Sequence, residues 1–194
     1  MKVVNGRTRA KNRRVPTSHH GYVIDRASPG RGYRHVITKR DLQSFIDLIP
    51  DWASLSRRLE RITLAAGNAF DDGYYAFYHR EETGAIALHA WDEDLWMPLS
   101  VAYVSAHQTI FDQLGVSCEA GDDRIICRFT EAQARAFILL HVFLHELGHH
   151  WDRIHQRHRR VTKGEPYAER FAHRRFEEML PDYVRAFGDP SRAR

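Results

Sequence analysis

The chain has 194 residues, 43% hydrophobic and 28% charged, enough apolar sequence to bury a core in a single domain. No apolar run follows the first basic residues, so neither a signal peptide nor a membrane anchor is expected and the cytoplasm is the default compartment. The formal charge of +4 is uneven: residues 1 to 40 hold eleven Lys or Arg against one acid, Asp25, a net of +10 that leaves −6 for the remainder.

Met1 to Arg14 carries six basic residues, no acid and little to bury. It is expected to be a solvated, disordered arm, with nucleic-acid contact as the lesser reading. Pro16 to Arg34, rich in Gly, Pro, Ser and His, is expected to be irregular. The division that follows is an arm over 1–34, one domain over 35–187 and a tail over 188–194. Within the domain, Thr38 caps a helix over 39–48 with Leu42, Phe45, Ile46 and Leu48 inward, and Pro50-Asp51 leads into a second over 52–60. Arg61 to Ala65 has strand character. Tyr74–Tyr78 and Ala85–Ala90, joined through Gly84, read as a hairpin, and Tyr74 to His79 is a candidate edge strand for holding an extended peptide. Leu99 to Leu114 is expected to be helical. Cys118 and Cys127 flank Gly121-Asp122-Asp123, a turn that could bring them face to face. In a chain without an export signal they are read as reduced thiols. Ile125 to Phe129 is a short strand.

The segment that follows carries the chemistry. Thr130-Glu131-Ala132-Gln133 is a capping box, and Ala136 to Leu144 is almost wholly apolar, which marks a buried helix. It is too short for a membrane span, which needs roughly 20 apolar residues. One helix is expected over 131–157, and it contains His145-Glu146-Leu147-Gly148-His149. Histidines four apart lie one turn apart on the same face and can share a metal ion, while Glu146 beside them can take a proton from metal-bound water. His141 is read as a core histidine hydrogen-bonded to backbone or a carboxylate, and His150 points about 100° away from His149. The basic residues from Arg153 to Lys163 suit a solvated helix C-terminus. In the final helix Ala168, Phe171, Ala172, Phe176 and Met179 fall on one face, and Pro181 is expected to end or kink it.

A catalytic zinc takes three protein ligands and keeps a position open. Two residues compete for the third place. His155 completes a His-x3-His-x5-His spacing, with Asp152 where a glycine would turn the chain. Glu165, followed by Pro166 at the first turn of a new helix, can be presented by a helix returning antiparallel. HExxH followed by Glu165-Pro166-Tyr167-Ala168-Glu169-Arg170-Phe171-Ala172 resembles the gluzincin metallopeptidases, including CAAX prenyl proteases and ImmA/IrrE-type peptidases. The resemblance covers about 143–172. It implies a zincin-like α+β fold, with a small, mostly antiparallel sheet, a buried metal helix and a C-terminal helix. It also implies one Zn2+ held by His145, His149 and Glu165. Glu169 would support a zinc-binding histidine, although it is a methylene longer than the Asp or Asn usual there.

The expected activity is zinc-dependent hydrolysis of a protein or peptide substrate with Glu146 as general base. The oxyanion donor stays open, with Tyr167 read as packing and His173 as surface. The competing function is a non-proteolytic metal-binding regulatory module associated with nucleic acid through its arm. A glutamate in the general-base position and the lack of nearby cysteine favour catalysis. Hydrolysis of a non-peptide amide would use the same chemistry.

Overall fold

The computed structural model describes residues 2–4, 7–9, 17–19, 21–68, 72–155 and 164–192. Near the N-terminus, Lys2–Val4 (β1) pairs antiparallel with Arg7–Arg9 (β2), and Thr17–His19 (β3) pairs antiparallel with Tyr22–Arg26 (β4). The other residues of the expected disordered arm lie outside the described residues. Strand β4 corrects the irregular reading of this stretch. Its side chains alternate between the two faces, and Tyr22 and Ile24 are buried in the core. That two-residue period is short and is masked by the glycine, proline and histidine around it.

Tyr33–Arg34 (β5) leads to Lys39–Ile46 (α1). Here Thr38 and Asp41 form the reciprocal cap, and Leu42, Phe45 and Ile46 are buried. The second helix, Trp52–Leu55 (α2), is a single turn and stops before the expected residue 60. Arg58 then adopts a left-handed conformation, φ 61°, and starts Leu59–Ala65 (β6). Gly73–Tyr78 (β7) and Thr83–His89 (β8) form the expected hairpin. Trp91–Asp92 (β9) pairs with β5, and Trp96–Leu99 (β10) follows.

The main sheet has the order β3-β4-β6-β8-β7. It is mixed rather than mostly antiparallel, because β4–β6 and β6–β8 run parallel. The chain between β4 and β6 contains α1 and α2, and a crossover of that kind returns a strand in its original direction. Strand β7 lies at the edge, where the sequence reading placed it. The class is α+β.

The helix expected over 99–114 is two, Val101–Ala106 (α3) and Gln108–Leu114 (α4), interrupted at His107 with φ −109° and ψ 11°. Ser117–Ala120 (β11) and Ile125–Arg128 (β12) form a hairpin in which Cys118 and Cys127 are directly opposed, their Cα atoms 4.0 Å apart, and joined by a disulfide. This overturns the reduced-thiol reading. Residues directly across an antiparallel pair are close enough to bond, and the register that opposes them is a pairing property.

The long helix is continuous but not uniform. Glu131–Phe137 (α5) has the Thr130–Gln133 capping box, Ile138–Val142 is a π-helical turn, and Phe143–His155 (α6) carries HExxH. Residues 156 and 157, the expected end, lie outside the described residues. Glu165–Phe187 (α7) packs antiparallel on α6. The two helices come close at Gly148, where a Cβ would stand 3.0 Å from Ala168 Cα and 3.2 Å from Phe171 Cβ. Pro181 does not end α7, which continues to Phe187. Pro181 and Glu177, whose carbonyl loses its partner, are both exposed, so water can satisfy the freed group. The expected tail is partly docked: Pro190–Arg192 forms a 3-10 turn with Pro190 buried. Phe45 meets Phe143 at 6.1 Å and Tyr183 at 6.2 Å between ring centroids, so α1, α6 and α7 share one core. Among the described residues no helix is long and apolar enough to cross a membrane.

Candidate metal centre

Helices α6 and α7 build the site between them. His145 and His149 lie one turn apart on α6, and Glu165 opens α7 after Gly164, whose positive φ of 65° turns the chain into the helix. Because the helices are antiparallel, Glu165 comes to His149, and Glu169, one turn on, comes to His145. The Nε2 atoms of His145 and His149 are 3.2 Å apart. Glu165 Oε2 lies 3.1 Å from His145 Nε2, and Glu165 Oε1 lies 3.2 Å from His149 Nε2. Zinc with bonds of about 2.0–2.1 Å in a tetrahedral shell has ligand edges of about 3.3 Å, so the triangle is the size of one face of such a shell. The fit to a divalent ion is good in donor type as well: two imidazoles and a carboxylate.

His145 Nδ1 donates to Glu169 Oε2 over 2.9 Å. That bond fixes the tautomer and leaves the Nε2 lone pair facing His149 and Glu165. The electrostatics also favour a cation. Burial by itself lowers the His145 pKa, but its hydrogen bond to Glu169 and the charges of Glu146, Glu169 and Glu165 outweigh it, and the net shift is upward. For His149 burial prevails over the pull of Glu165, and the shift is downward. Burial raises the Glu169 pKa, but the close approach of His107, the hydrogen bond accepted from His145 and the charge of the neighbouring histidines hold it far below the ordinary carboxylate range, so it is ionised.

Glu146 is 7% exposed and lines a cleft of about 860 Å³ with His145, His149 and Glu165. The opposite wall includes Gly73, Tyr74 and Tyr75 of edge strand β7. A Cβ at Gly73 would come within 2.9 Å of Val142 Cγ1 and 3.4 Å of Glu146 Cγ. The missing side chain is what lets the edge strand lie against the helix beside the candidate base.

His155 is not brought to this cluster. α6 reaches it without turning, and its Nδ1 bonds to Trp151 O at 3.1 Å, so it stays on its own helix. His150 packs on the sheet instead: Nε2 donates to Arg57 O at 2.9 Å and Nδ1 accepts from the Tyr75 hydroxyl at 3.3 Å. His141 is buried as expected, but its Nδ1 makes no hydrogen bond, unlike the satisfied core histidine foreseen. His173, read as a surface residue, is half-buried and donates to Glu169 Oε1 at 2.8 Å. Tyr167 packs against the core.

The sequence reading missed Tyr103 and His107, which also line the cleft. Tyr103 lies in α3 and His107 at the break that follows it, and their rings stack at 4.0 Å. Only their four-residue spacing hinted at it. Burial keeps the Tyr103 hydroxyl protonated, so the cleft wall holds a neutral phenol. Compared with protein-family models, curated proteins and solved structures, the chain matches none.

Proposed function

We propose that this protein is a zinc-dependent peptidase. The observation that carries the reading is the convergence of His145 Nε2, His149 Nε2 and the Glu165 carboxylate into one triangle with edges of 3.1–3.2 Å. A buried glutamate, Glu146, stands beside it in an open cleft. His145, His149 and Glu165 would hold the ion, which when bound supplies the positive charge that polarises a scissile carbonyl and acidifies water. Glu146 takes the proton from the attacking water and passes it to the departing amine. Glu169 keeps the His145 ring turned with Nε2 toward the ion. An extended substrate adds to the free edge of β7, so main-chain hydrogen bonds position it with little demand on its sequence. The cleft admits a chain and is not a closed pocket for a small ligand, which favours a peptide over a small amide.

The test is hydrolysis of an unfolded protein or a peptide library by zinc-loaded protein and by Glu146→Gln. The amide keeps the size of the side chain and removes its basicity. Activity is expected to fall by roughly a hundredfold to ten-thousandfold, with metal content and melting temperature unchanged. Parental cleavage by the variant would remove Glu146 from the mechanism.

A further inference from the structure

Behind His145 lies a second group of donors: His107, His141, Glu169 and His173 each offer one ligand atom, all within 4.8 Å of one another. Three parts of the fold supply them. His107 comes from the break between α3 and α4, His141 from the π turn, and Glu169 and His173 from successive turns of α7. His107 and His141 are only 4% and 3% exposed, yet His107 Nε2 and His141 Nδ1 make no hydrogen bond. A buried polar atom left unpaired has lost its hydration with nothing in return, and two together in one cluster point to a missing partner.

The tautomer sharpens this. His107 Nδ1 donates to Tyr103 O at 2.7 Å, so the neutral ring has its lone pair on Nε2. That lone pair sits 2.7 Å from Glu169 Oε1, a close approach without hydrogen-bond alignment. With the ring neutral, two electron-rich atoms at that distance repel, and either a proton on Nε2 or a metal cation between them turns repulsion into attraction; the unpaired His141 Nδ1 beside them is met by the metal alone.

We propose that His107, His141, Glu169 and His173 form a second divalent-metal site, closed by four protein ligands and suited to Zn2+. Three imidazoles and one carboxylate match the preferences of zinc. With no position left for water, the site is structural. The donor separations run from 2.7 Å between His107 Nε2 and Glu169 Oε1 to no more than 4.8 Å, on either side of the edge of about 3.3 Å in a tetrahedral shell, so binding adjusts the four side chains. His107, His141 and Glu169 line the main cleft, and Glu169 and His173 also line a second cavity of about 700 Å³, so the donors border two cavities. The ion would tie α4, the π turn and α7 together, with Glu169 serving both centres, one oxygen to the ion and the other to His145. The proposal does not depend on the peptidase reading.

The experiment uses the full chain, free of any polyhistidine tag, stripped with chelator and titrated with Zn2+. Co2+ absorption is the second readout. Two equivalents per chain are expected. His149→Gln should lose one, and His173→Gln and His141→Gln should each lose the other. His141 is a core residue, so half-buried His173 carries the test if His141→Gln fails to fold by circular dichroism. One equivalent, lost in His149→Gln and kept in His173→Gln, overturns the second site and leaves the peptidase centre intact. One equivalent with the reverse pattern upholds the second site and overturns the peptidase centre. Two equivalents both retained in His173→Gln, or no binding at all, overturn the second site.

Discussion

At the residue scale, Glu165 and His155, the two candidates for a third ligand, differ in where the backbone places them. Glu165 is mostly exposed, yet its two oxygens reach both ligand histidines, while His155 hydrogen-bonds within its own helix. Glu165→Ala is therefore expected to remove most of the metal retained after dialysis, and His155→Ala to leave it unchanged. Metal analysis of both variants checks this, and the reverse result would restore the three-histidine alternative. Glu169 acts one step back. Glu169→Ala deprives His145 of its Nδ1 partner and should weaken zinc binding at the triad by roughly 10–100-fold. Competition with a chromogenic chelator measures it.

At the element scale, the site depends on how closely α7 can approach α6. Gly148, inside the HExxH motif, allows that contact: a Cβ there would meet Ala168 Cα at 3.0 Å and Ala168 O at 3.2 Å. Backbone atoms cannot rotate aside as a side-chain tip can. Gly148→Val therefore forces the helices apart and should cost about 1–3 kcal/mol through overpacking. It should also withdraw Glu165 and Glu169 from the histidines, so zinc affinity falls along with melting temperature. A variant that lost stability but kept parental zinc affinity would show that the helix separation does not set the site. The π turn before α6 is the other element-scale device. An extra residue in the turn changes the direction of the side chains, and His141 lies in that turn.

At the scale of the whole molecule, buried neutral histidines make the fold sensitive to acid. His150 is fully buried with both ring nitrogens engaged in its neutral form. Burial, which outweighs its hydrogen bond to Arg57 O, lowers its pKa from 6.5 to about 4. Between those values the unfolded chain binds a proton that the folded chain refuses, so stability is fullest above pH 6.5 and falls as pH drops toward 4. At about 1.4 kcal/mol per pKa unit, the loss from His150 is about 3 kcal/mol. Urea unfolding of chelator-treated protein at pH 7 and 4.5 should show a smaller difference for His150→Gln than for the parent. An equal difference would place the acid sensitivity elsewhere.

Local features in the sequence were enough to indicate several parts of the molecule. The caps at Thr38 and Thr130, the β7–β8 hairpin, the buried helix with His145, Glu146 and His149 on it, and the inward face of α7 rest on short-range periodicity and capping chemistry, which neighbouring residues set among themselves. The candidacy of Glu165 rested on Pro166 opening a returning helix and on the resemblance of the motif to the gluzincins, and that of Glu169 on the resemblance alone. The rest depends on residues far apart in sequence. The parallel pairing of β4 with β6, the opposition of Cys118 to Cys127 and the continuation of α7 through Pro181 follow from crossover direction, strand register and which face meets water. The gathering of His107, His141 and His173 around Glu169 needed the break between α3 and α4, the π turn and α7 to meet in one place. No spacing along the chain encodes that meeting, because it is fixed by how three elements pack.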